Sequence, residues 1–557
     1  MNNLKVITLG GVNEIGKNIT AYEYEDTIVL IDCGASFPDP QQMGVSLIIP
    51  DFSYLLENSK KIKGLVITHA HEDHIGSITY LINQLGFTPK IYGSKFTLEM
   101  IRFKLIEAGI VEKHGELIEI NENSKINLSP FELEFIHVNH SIPESMAIAI
   151  NTPVGRVIHT GDLRIDLTPT GGQKPTDIQK FSLYGKQGVK LLVTESTNAE
   201  RPGFSLSETE VIKSLSEIYL HHKENRIIIS TFASNINRIK SIIEVSEDYG
   251  RKIAFTGRSM VKIVDMAIDK GYVYAPKSLF VDIYEAQTLP PEKVTIITTG
   301  SQGEVMSALQ RMSVGEHKEI ALSSRDTVIL SSSAIPGNEK LVNNVVNTLI
   351  LNNVEVIKAP EALVHVSGHA YRDELKLLMT MISPEYIIPV HGEAKHLYAN
   401  KANAMALGYD EENIIVPSVG SIVEVGENTF EETGKVQAGA VLIEGPASED
   451  ISPLTLNERR SMAQSGAIIV ILQISYRQKT LIADPDVVAK GFMTIKDSSD
   501  IMFNLKKAAK EAALNSITVD DFNWRTIKKN VQSTLSRYVY TKTKRSPLII
   551  PIIVPSK

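Results

Sequence analysis

Gly64-Leu-Val-Ile-Thr-His-Ala-His-Glu-Asp-His-Ile-Gly76 decides the fold. Its opening, Leu65-Val-Ile-Thr68, is a short apolar, β-branched run and predicts a buried strand. Four metal-type ligands follow at once: His69, His71, Asp73 and His74. Side chains at i and i+2 of an extended chain share a face, so His69 and His71 point the same way. Asp73 and His74 fall where a helix starts and can address a second cation. Imidazole and carboxylate together suit zinc or manganese. A polar loop that holds histidine by chance is the alternative. The density of ligands directly after a strand argues against it.

Outward from this stretch, residues 6–9 predict a first strand. The Gly-rich loop Gly10-Gly-Val-Asn-Glu-Ile-Gly-Lys-Asn18 follows, and it is neither a Walker A sequence nor a dinucleotide fingerprint. Residues 21–24 and 27–31 predict a hairpin around Glu25-Asp26. Asp32 ends that strand, where its carboxylate can brace a ligand histidine from behind. Cys33 beside it suits a small buried apolar position. Ile75, Ile78, Leu81 and Ile82 recur at helical spacing and predict a helix over 75–85. A second cluster, Glu134-Phe-Ile-His-Val-Asn-His140, puts His140 at the end of an apolar strand. His137, three residues earlier, faces the other way and serves packing. A third, Arg156-Val-Ile-His-Thr-Gly-Asp162, delivers Asp162 after a strand and a glycine, from where one carboxylate can bridge two cations.

Composition sets the outer limits. The 557 residues suggest three or four domains. An apolar fraction of 43% and a charged fraction of 22% are those of an ordinary globular protein. One cysteine excludes an internal disulfide framework and a Cys-rich zinc finger, and it fits a reducing cytoplasmic setting. No apolar run reaches about 18 residues, so no membrane span is expected. The N-terminus enters a strand-like segment without a signal-peptide core. A net charge of −8 speaks against a general nucleic-acid coat and is silent on a local basic channel. No GxSxG elbow is present, and the lone cysteine has no reason to be a nucleophile.

From about residue 206 the pattern changes. Residues 206–220 are helical. Four β-branched runs, near 226–231, 252–256, 294–299 and 327–331, each end in a polar turn: Phe232-Ala-Ser-Asn235, Gly257-Arg-Ser259, Thr299-Gly-Ser-Gln-Gly-Glu304 and Ser331-Ser-Ser333. Repeated strand–loop–helix units predict a parallel sheet with a ligand at the carboxyl ends of its strands. Small hydroxyl and Gly residues at helix starts suit phosphate. Strands near 354–357, 386–390 and 414–417 then return the chain to the first domain. A Pro/Ser/acidic stretch near 445–453 predicts a linker. Strands near 467–474 and 547–554, with helices near 500–513 and 524–538, form a small terminal α+β domain.

Asp32, His69-Ala-His-Glu-Asp-His74, His140 and Thr160-Gly-Asp162 resemble the ordered motifs of the metallo-β-lactamase fold, an αββα sandwich with a dimetal site at one edge. The Gly10–Asn18 loop, His140-Ser-Ile-Pro-Glu144, Phe232-Ala-Ser-Asn235, Gly257-Arg-Ser259, Thr299-Gly-Ser-Gln-Gly-Glu304, His365-Val-Ser-Gly-His369 and Pro389-Val-His-Gly-Glu393 resemble bacterial ribonuclease J, a β-CASP nuclease family. The resemblance implies an α/β protein with a metallo-β-lactamase domain in two parts, 1–205 and 351–444. A β-CASP domain at 206–350 is inserted between them, a linker spans 445–462, and an α+β oligomerisation domain spans 463–557. It implies that His69, His71 and His140 hold one divalent metal, that Asp73, His74 and His391 hold another, and that Asp162 bridges them. Zinc is the first expectation, and the ligand set also accepts manganese or magnesium. Glu195 takes the family's acid position, where the usual residue is Asp. His369 contacts the scissile phosphate, with His365, Ser367 and Gly368 beside it. Asp73, Asp162, Glu195 and His369 are thus the implied catalytic set. Ser234, Asn235, Arg258, Ser259, Ser331 and Ser333 are implied in a terminal-phosphate pocket.

The implied function is 5′→3′ exonuclease and endonuclease activity on single-stranded, preferably 5′-monophosphorylated RNA, in mRNA decay and rRNA maturation. A homodimer or homotetramer, a paralogue and RNA-degradation partners are implied with it. A weakly active paralogue that serves as a structural partner is one alternative, and the full ligand set argues against it. A small-molecule hydrolase is another, and the inserted domain argues against that. The Pro/Ser/acidic stretch departs from the family's usual Gly- and Asp-rich wording.

Overall fold

The structure is a computed structural model. It describes residues 2–39, 42–112, 115–300, 307–334, 338–445, 449–450, 452–475, 477–492, 499–517 and 523–556. Residues 301–304 of the Thr299–Glu304 motif, and 446–448 and 451 of the predicted linker, lie outside them. The chain forms two compact units, one of residues 1–37 and 48–441, the other of residues 38–47 and 442–557.

The first unit contains two sheets face to face. The eight-stranded sheet runs in the order Phe430–Lys435, Ser421–Val425, Leu4–Gly10, Ile19–Tyr24, Thr27–Ile31, Ile62–Val66, Ile91–Gly93 and Leu117–Glu119. The six-stranded sheet runs Tyr386–Pro389, Leu191–Thr194, Gly155–His159, Met146–Thr152, Phe131–His137 and Lys125–Leu128. Alternation of side chains along each strand sends one set to the shared core. Leu4, Val6, Tyr22, Val29 and Val66 meet Leu133, Phe135, Ile148, Val157, Val193 and Ile388 there. The opposite set of the second sheet, including Ile136, Ala149, Ile158 and Ile387, packs on the helices Ile178–Gln187 and Arg372–Ile382 through Phe181, Tyr184, Leu378 and Ile382. This is a four-layer αββα arrangement. The parallel strands Leu191–Thr194 and Tyr386–Pro389 are adjacent although almost two hundred residues lie between them. The intervening chain is therefore an insertion.

The insertion has its own all-parallel sheet, in the order Lys252–Thr256, Val294–Thr298, Arg226–Ser230, Asp326–Leu330 and Glu355–Lys358. Its strands are nearly continuous apolar runs, as expected of a sheet covered on both faces. The last strand corrects the sequence reading. Residues 354–357 were expected in the returning first domain. Instead Val356 and Ile357 pair with Val328 and Ile329, so the inserted sheet runs past residue 350 to Lys358. Ile414 likewise forms a single bridge to Ile387 rather than a strand.

Two local differences bear on the site. The expected 75–85 helix is two, Glu72–Ile75 and Ile78–Leu85, because Ser77 turns its hydroxyl onto the Gly34 carbonyl (2.5 Å). His140 is not at a strand end. Its strand stops at His137, and His140 stands in the loop beyond.

The second unit pairs Ala467–Ser475 in parallel with Leu548–Ser556 and antiparallel with Asp486–Lys490 and Thr480–Leu481. Val470, Leu472 and Ile474 bury against Leu505 and Ala509 of the helix Ser499–Ile517 and Val531 and Leu535 of Trp524–Thr543. Part of the predicted linker is helical here, Pro453–Ser465. Proline occupies its first turn, and the Ser452 hydroxyl accepts from Thr455 N, two strong starting signals. Among the described residues no helix is long and apolar enough to cross a membrane.

Candidate metal centre

Five segments bring the ligands together. The turn after Ile62–Val66 carries His69 and His71, and the short helix Glu72–Ile75 carries Asp73 and His74. The loops after Phe131–His137, Gly155–His159 and Tyr386–Pro389 carry His140, Asp162 and His391. Potential ligand atoms of His69, His71, His140 and Asp162 lie within 4.8 Å of one another, and so do those of Asp73, His74, Asp162 and His391. Asp162 belongs to both groups.

Hydrogen bonds behind the cluster fix which nitrogen of each ring faces inward. Asp32 accepts from Thr68 N (2.8 Å) and Thr68 Oγ1 (2.9 Å), and lies 2.7 Å from His74 Nδ1. Thr68 Oγ1 in turn stands 3.0 Å from His69 Nδ1. His140 Nδ1 lies 2.7 Å from the Gly368 carbonyl. A proton on each Nδ1 satisfies these contacts, and on His69 and His140 it leaves Nε2 as a lone pair. Those Nε2 atoms of His69, His74 and His140 stand 3.6, 3.3 and 3.7 Å from Asp162 Oδ2. His71 Nδ1 sits 3.1 Å from His69 Nε2 and 3.0 Å from His140 Nε2. On the other side, His391 Nε2 lies 3.2 Å from Asp73 Oδ2, across 318 residues of sequence.

Two positions depend on special backbone. Asp32 and His391 adopt left-handed φ of 62° and 53°, each at a cost of about 1–3 kcal/mol that the packing around them offsets. Gly34 has no room for a side chain, because a Cβ there would stand 1.6 Å from the Asp73 carbonyl. Backbone contact at Gly34 thus sets the Asp73 turn, with Asn18 N donating to the same carbonyl (3.0 Å).

The electrostatics divide the cluster. Burial pushes His69 and His140 well down and His71 to about 4, so these rings are neutral. Burial also works against charge on His74 and His391, yet Asp162 and Asp73 outweigh it. They raise His74 well above its usual value and His391 to about 10. The acidic side of the cluster therefore stabilises positive charge. Both Asp162 oxygens are buried, Oδ1 3.0 Å from His391 Nδ1 and Oδ2 3.3 Å from His74 Nε2. Three neutral imidazoles and the Asp73 and Asp162 carboxylates fit a divalent cation, because a cation neutralises buried negative charge and takes the imidazole lone pairs.

Glu195 and His369 adjoin this cluster. His369 Nδ1 is 2.8 Å from Glu195 Oε2 and 3.8 Å from Asp162 Oδ2. Glu195 Oε1 accepts from Leu163 N (2.8 Å), which orients the carboxylate. Ser367 Oγ accepts from Asn198 Nδ2 (2.8 Å) and from His369 N (3.2 Å). Gly368 has no space for a Cβ, which would stand 2.8 Å from the His140 ring. His365 is half-buried and its Nδ1 has no partner.

The other candidates are more scattered in role. Ser331 is fully buried, and its hydroxyl donates to Val364 O and accepts from Arg238. Asn235 is buried and caps the helix Ile236–Asp248. The Ser331 hydroxyl is thus taken up in both roles, whereas Asn235 also lines a cavity with His140, Arg164 and Ser367. Arg258 and Ser259 are exposed at the first positions of the helix Arg258–Asp269, Ser333 is exposed and Ser234 is half-buried. Sequence reasoning missed Thr68, Asn18 and Thr197, whose hydroxyl stands 3.1 Å from His391 Nδ1. Thr68 and Asn18 fall within quoted motifs and Thr197 lies two residues after Glu195, so proximity in sequence was the available signal.

Residues 12–177 match the family described as the metallo-beta-lactamase superfamily, and residues 224–349 match the ribonuclease J beta-CASP domain. Residues 356–417 match the Zn-dependent metallo-hydrolase RNA specificity domain, and 454–556 the ribonuclease J C-terminal domain. Ribonuclease J 1 of Streptococcus pyogenes is 36% identical, over 99% of this chain and 98% of its own length. The chain belongs to the ribonuclease J family. Within that family it is also 36% identical to ribonuclease J2 of Bacillus subtilis, over 99% of this chain and 98% of that protein. It is 38% identical to ribonuclease J of Corynebacterium glutamicum, over 100% of this chain and 76% of that protein. A crystal structure of a protein of unknown function from Enterococcus faecalis shares the fold. Its TM-score is 0.54 at 15% identity, covering 76% of this chain and 100% of that one. The cluster around Asp162 thus lies in a metallo-hydrolase fold, and its residue types suit a divalent cation.

Proposed function

We propose that this chain hydrolyses RNA with two divalent cations, zinc first among them, held around Asp162. It acts 5′→3′ from 5′-monophosphorylated ends of single-stranded RNA and also cleaves internally, in mRNA decay and rRNA maturation. It works in the cytoplasm as a homodimer or homotetramer. Its membership of the ribonuclease J family supports RNA as substrate and hydrolysis as the reaction. The observation that carries the site assignment is the buried Asp162 carboxylate common to both ligand groups, with His69, His74, His140 and His391 all 3.0–3.7 Å from it.

His69, His71 and His140 would hold one cation and Asp73, His74 and His391 the other, with Asp162 shared. Cations held there supply positive charge to an anionic phosphodiester and a water nucleophile at neutral pH. The chain's own residues do the rest. Asp32 and Thr68 keep His69 and His74 turned with Nε2 inward. Burial disfavours charge on His369, but Glu195 and Asp162 raise its pKa and favour a proton on the ring. With Nδ1 engaged by Glu195, His369 offers Nε2 to a phosphate oxygen or the departing 3′ oxygen. Arg258 and Ser259 present a guanidinium, a hydroxyl and helix N–H groups, which suit a terminal phosphate.

The test uses transcripts of one sequence bearing a 5′-monophosphate or a 5′-triphosphate, with and without chelator. Metal-dependent mononucleotide release is expected, faster from the monophosphate, with internal fragments from both. RNA that stays intact in the presence of metal removes this reading.

A further inference from the structure

The loop 364–369, which carries His369, is held by its carbonyls. Val364 O accepts from Arg238 Nη1 (2.7 Å) and from Ser331 Oγ (2.7 Å). Ser367 O accepts from Arg164 Nη1 (3.2 Å), and Gly368 O lies against His140 Nδ1 (2.7 Å). Arg238 is fully buried. Its Nε and Nη2 donate to the two carboxylate oxygens of Glu208, and Nη1 also reaches Ser331 Oγ (2.6 Å) and Ser331 O (3.2 Å). One guanidinium therefore joins the helix Glu208–His221, its own helix Ile236–Asp248, the end of the strand Asp326–Leu330 and the loop. Arg164 makes a parallel link. It donates to Asp166 Oδ2 (2.9 Å) and Leu206 O (3.0 Å), and Asp166 Oδ2 also accepts from Ser207 Oγ (3.1 Å). Both arginines converge on residues 206–208, where the chain passes into the inserted domain.

A buried ion pair gives up much of its Coulomb attraction to desolvation, and apolar replacements of like volume are often as stable. What an Arg–Glu pair adds is direction, because the guanidinium fork fixes its partners in one plane. We propose that Arg238, oriented by Glu208, is a positioning residue for hydrolysis. It sets the loop 364–369, and hence His369, relative to Asp162, and it couples that loop to the inserted domain. This rests on the RNA-hydrolysing role proposed for the Asp162 cluster.

The test compares Arg238→Lys with the double variant Arg238→Met/Glu208→Met, which leaves no unpaired buried charge. Metal content, amide hydrogen exchange, kcat and KM on RNA are measured for each. Both variants are expected to keep wild-type metal content and wild-type exchange at residues 65–75. Exchange at 364–370 rises about tenfold. kcat falls by about 10- to 100-fold, the effect of a displacement near 1 Å, while KM changes little. Full kcat in a metal-loaded variant, unchanged exchange at 364–370, or a loss of kcat that merely follows metal loss or global opening overturns the proposal. Wild-type protein that cleaves no RNA sinks the hydrolytic reading instead, and exchange then decides alone whether the pair holds the loop.

Discussion

Two sets of parallel strand ends can be compared in this molecule. In the first domain, the strands Ile62–Val66, Gly155–His159, Leu191–Thr194 and Tyr386–Pro389 are followed within a few residues by His69, Asp162, Glu195 and His391. In the inserted domain, Arg226–Ser230, Lys252–Thr256 and Asp326–Leu330 are followed by Asn235, Arg258 and Ser331. The topology is alike and the chemistry is not. Around Asp162, buried ligand atoms from several elements converge on one point. In the inserted domain, Asn235 and Ser331 spend theirs on a helix cap and on the Arg238–Val364 junction. A strand end becomes a candidate metal site where several ligand side chains converge, not merely where polar atoms are present.

The largest expected break in this contrast is Asp162→Asn. It keeps the volume and removes the charge shared by both ligand groups. Loss of bound metal and a fall in RNA hydrolysis of at least about 1,000-fold are expected, equivalent to several kcal/mol of charge stabilisation. Metal analysis beside a rate assay checks it, and a metal-loaded, active variant breaks the assignment. Glu195→Gln comes next, with a rate loss of about 100-fold. Because Glu195 raises His369 against the effect of burial, its removal lowers the pH at which His369 loses its proton. The alkaline limb of the kcat profile should therefore move to lower pH, and an unmoved limb would separate the two residues. Asp32→Asn touches no cation, so it should weaken metal affinity by about 10- to 100-fold, read by competition with a calibrated chelator. The smallest effects sharpen the inserted-domain side. Arg258→Ala should reduce the preference for 5′-monophosphate by about tenfold. Ser331→Ala should leave that preference intact and cost about 1–3 kcal/mol in denaturant unfolding, since it strips a donor from a buried carbonyl. The reverse pattern would make Ser331 the phosphate contact.

The metal side was legible because ligands placed straight after apolar runs are rare and their residue types carry the chemistry. His69 to His74 announced themselves, and Asp32 was readable as a brace because it ends a strand. The fate of Ser331 was not legible. Its partner Arg238 lies 93 residues away, and nothing near either residue signals that a buried guanidinium will claim the hydroxyl. Asn235 had a local signal, since an Asn before an apolar-periodic segment is a helix cap as readily as a ligand. The strand Glu355–Lys358 joins the inserted sheet, which its sequence does not signal, because a short apolar run marks burial but not the neighbour it pairs with. The helix Pro453–Ser465 was lost to the weight given to Pro and Ser as linker residues, although a Ser followed by Pro also opens helices.

The most direct measurement is a metal titration of chelator-stripped protein that follows bound metal and RNA hydrolysis together. The account predicts no hydrolysis in the stripped protein and full rate only as a second equivalent binds. RNA cleavage by the stripped protein, or full rate at one equivalent, would contradict it.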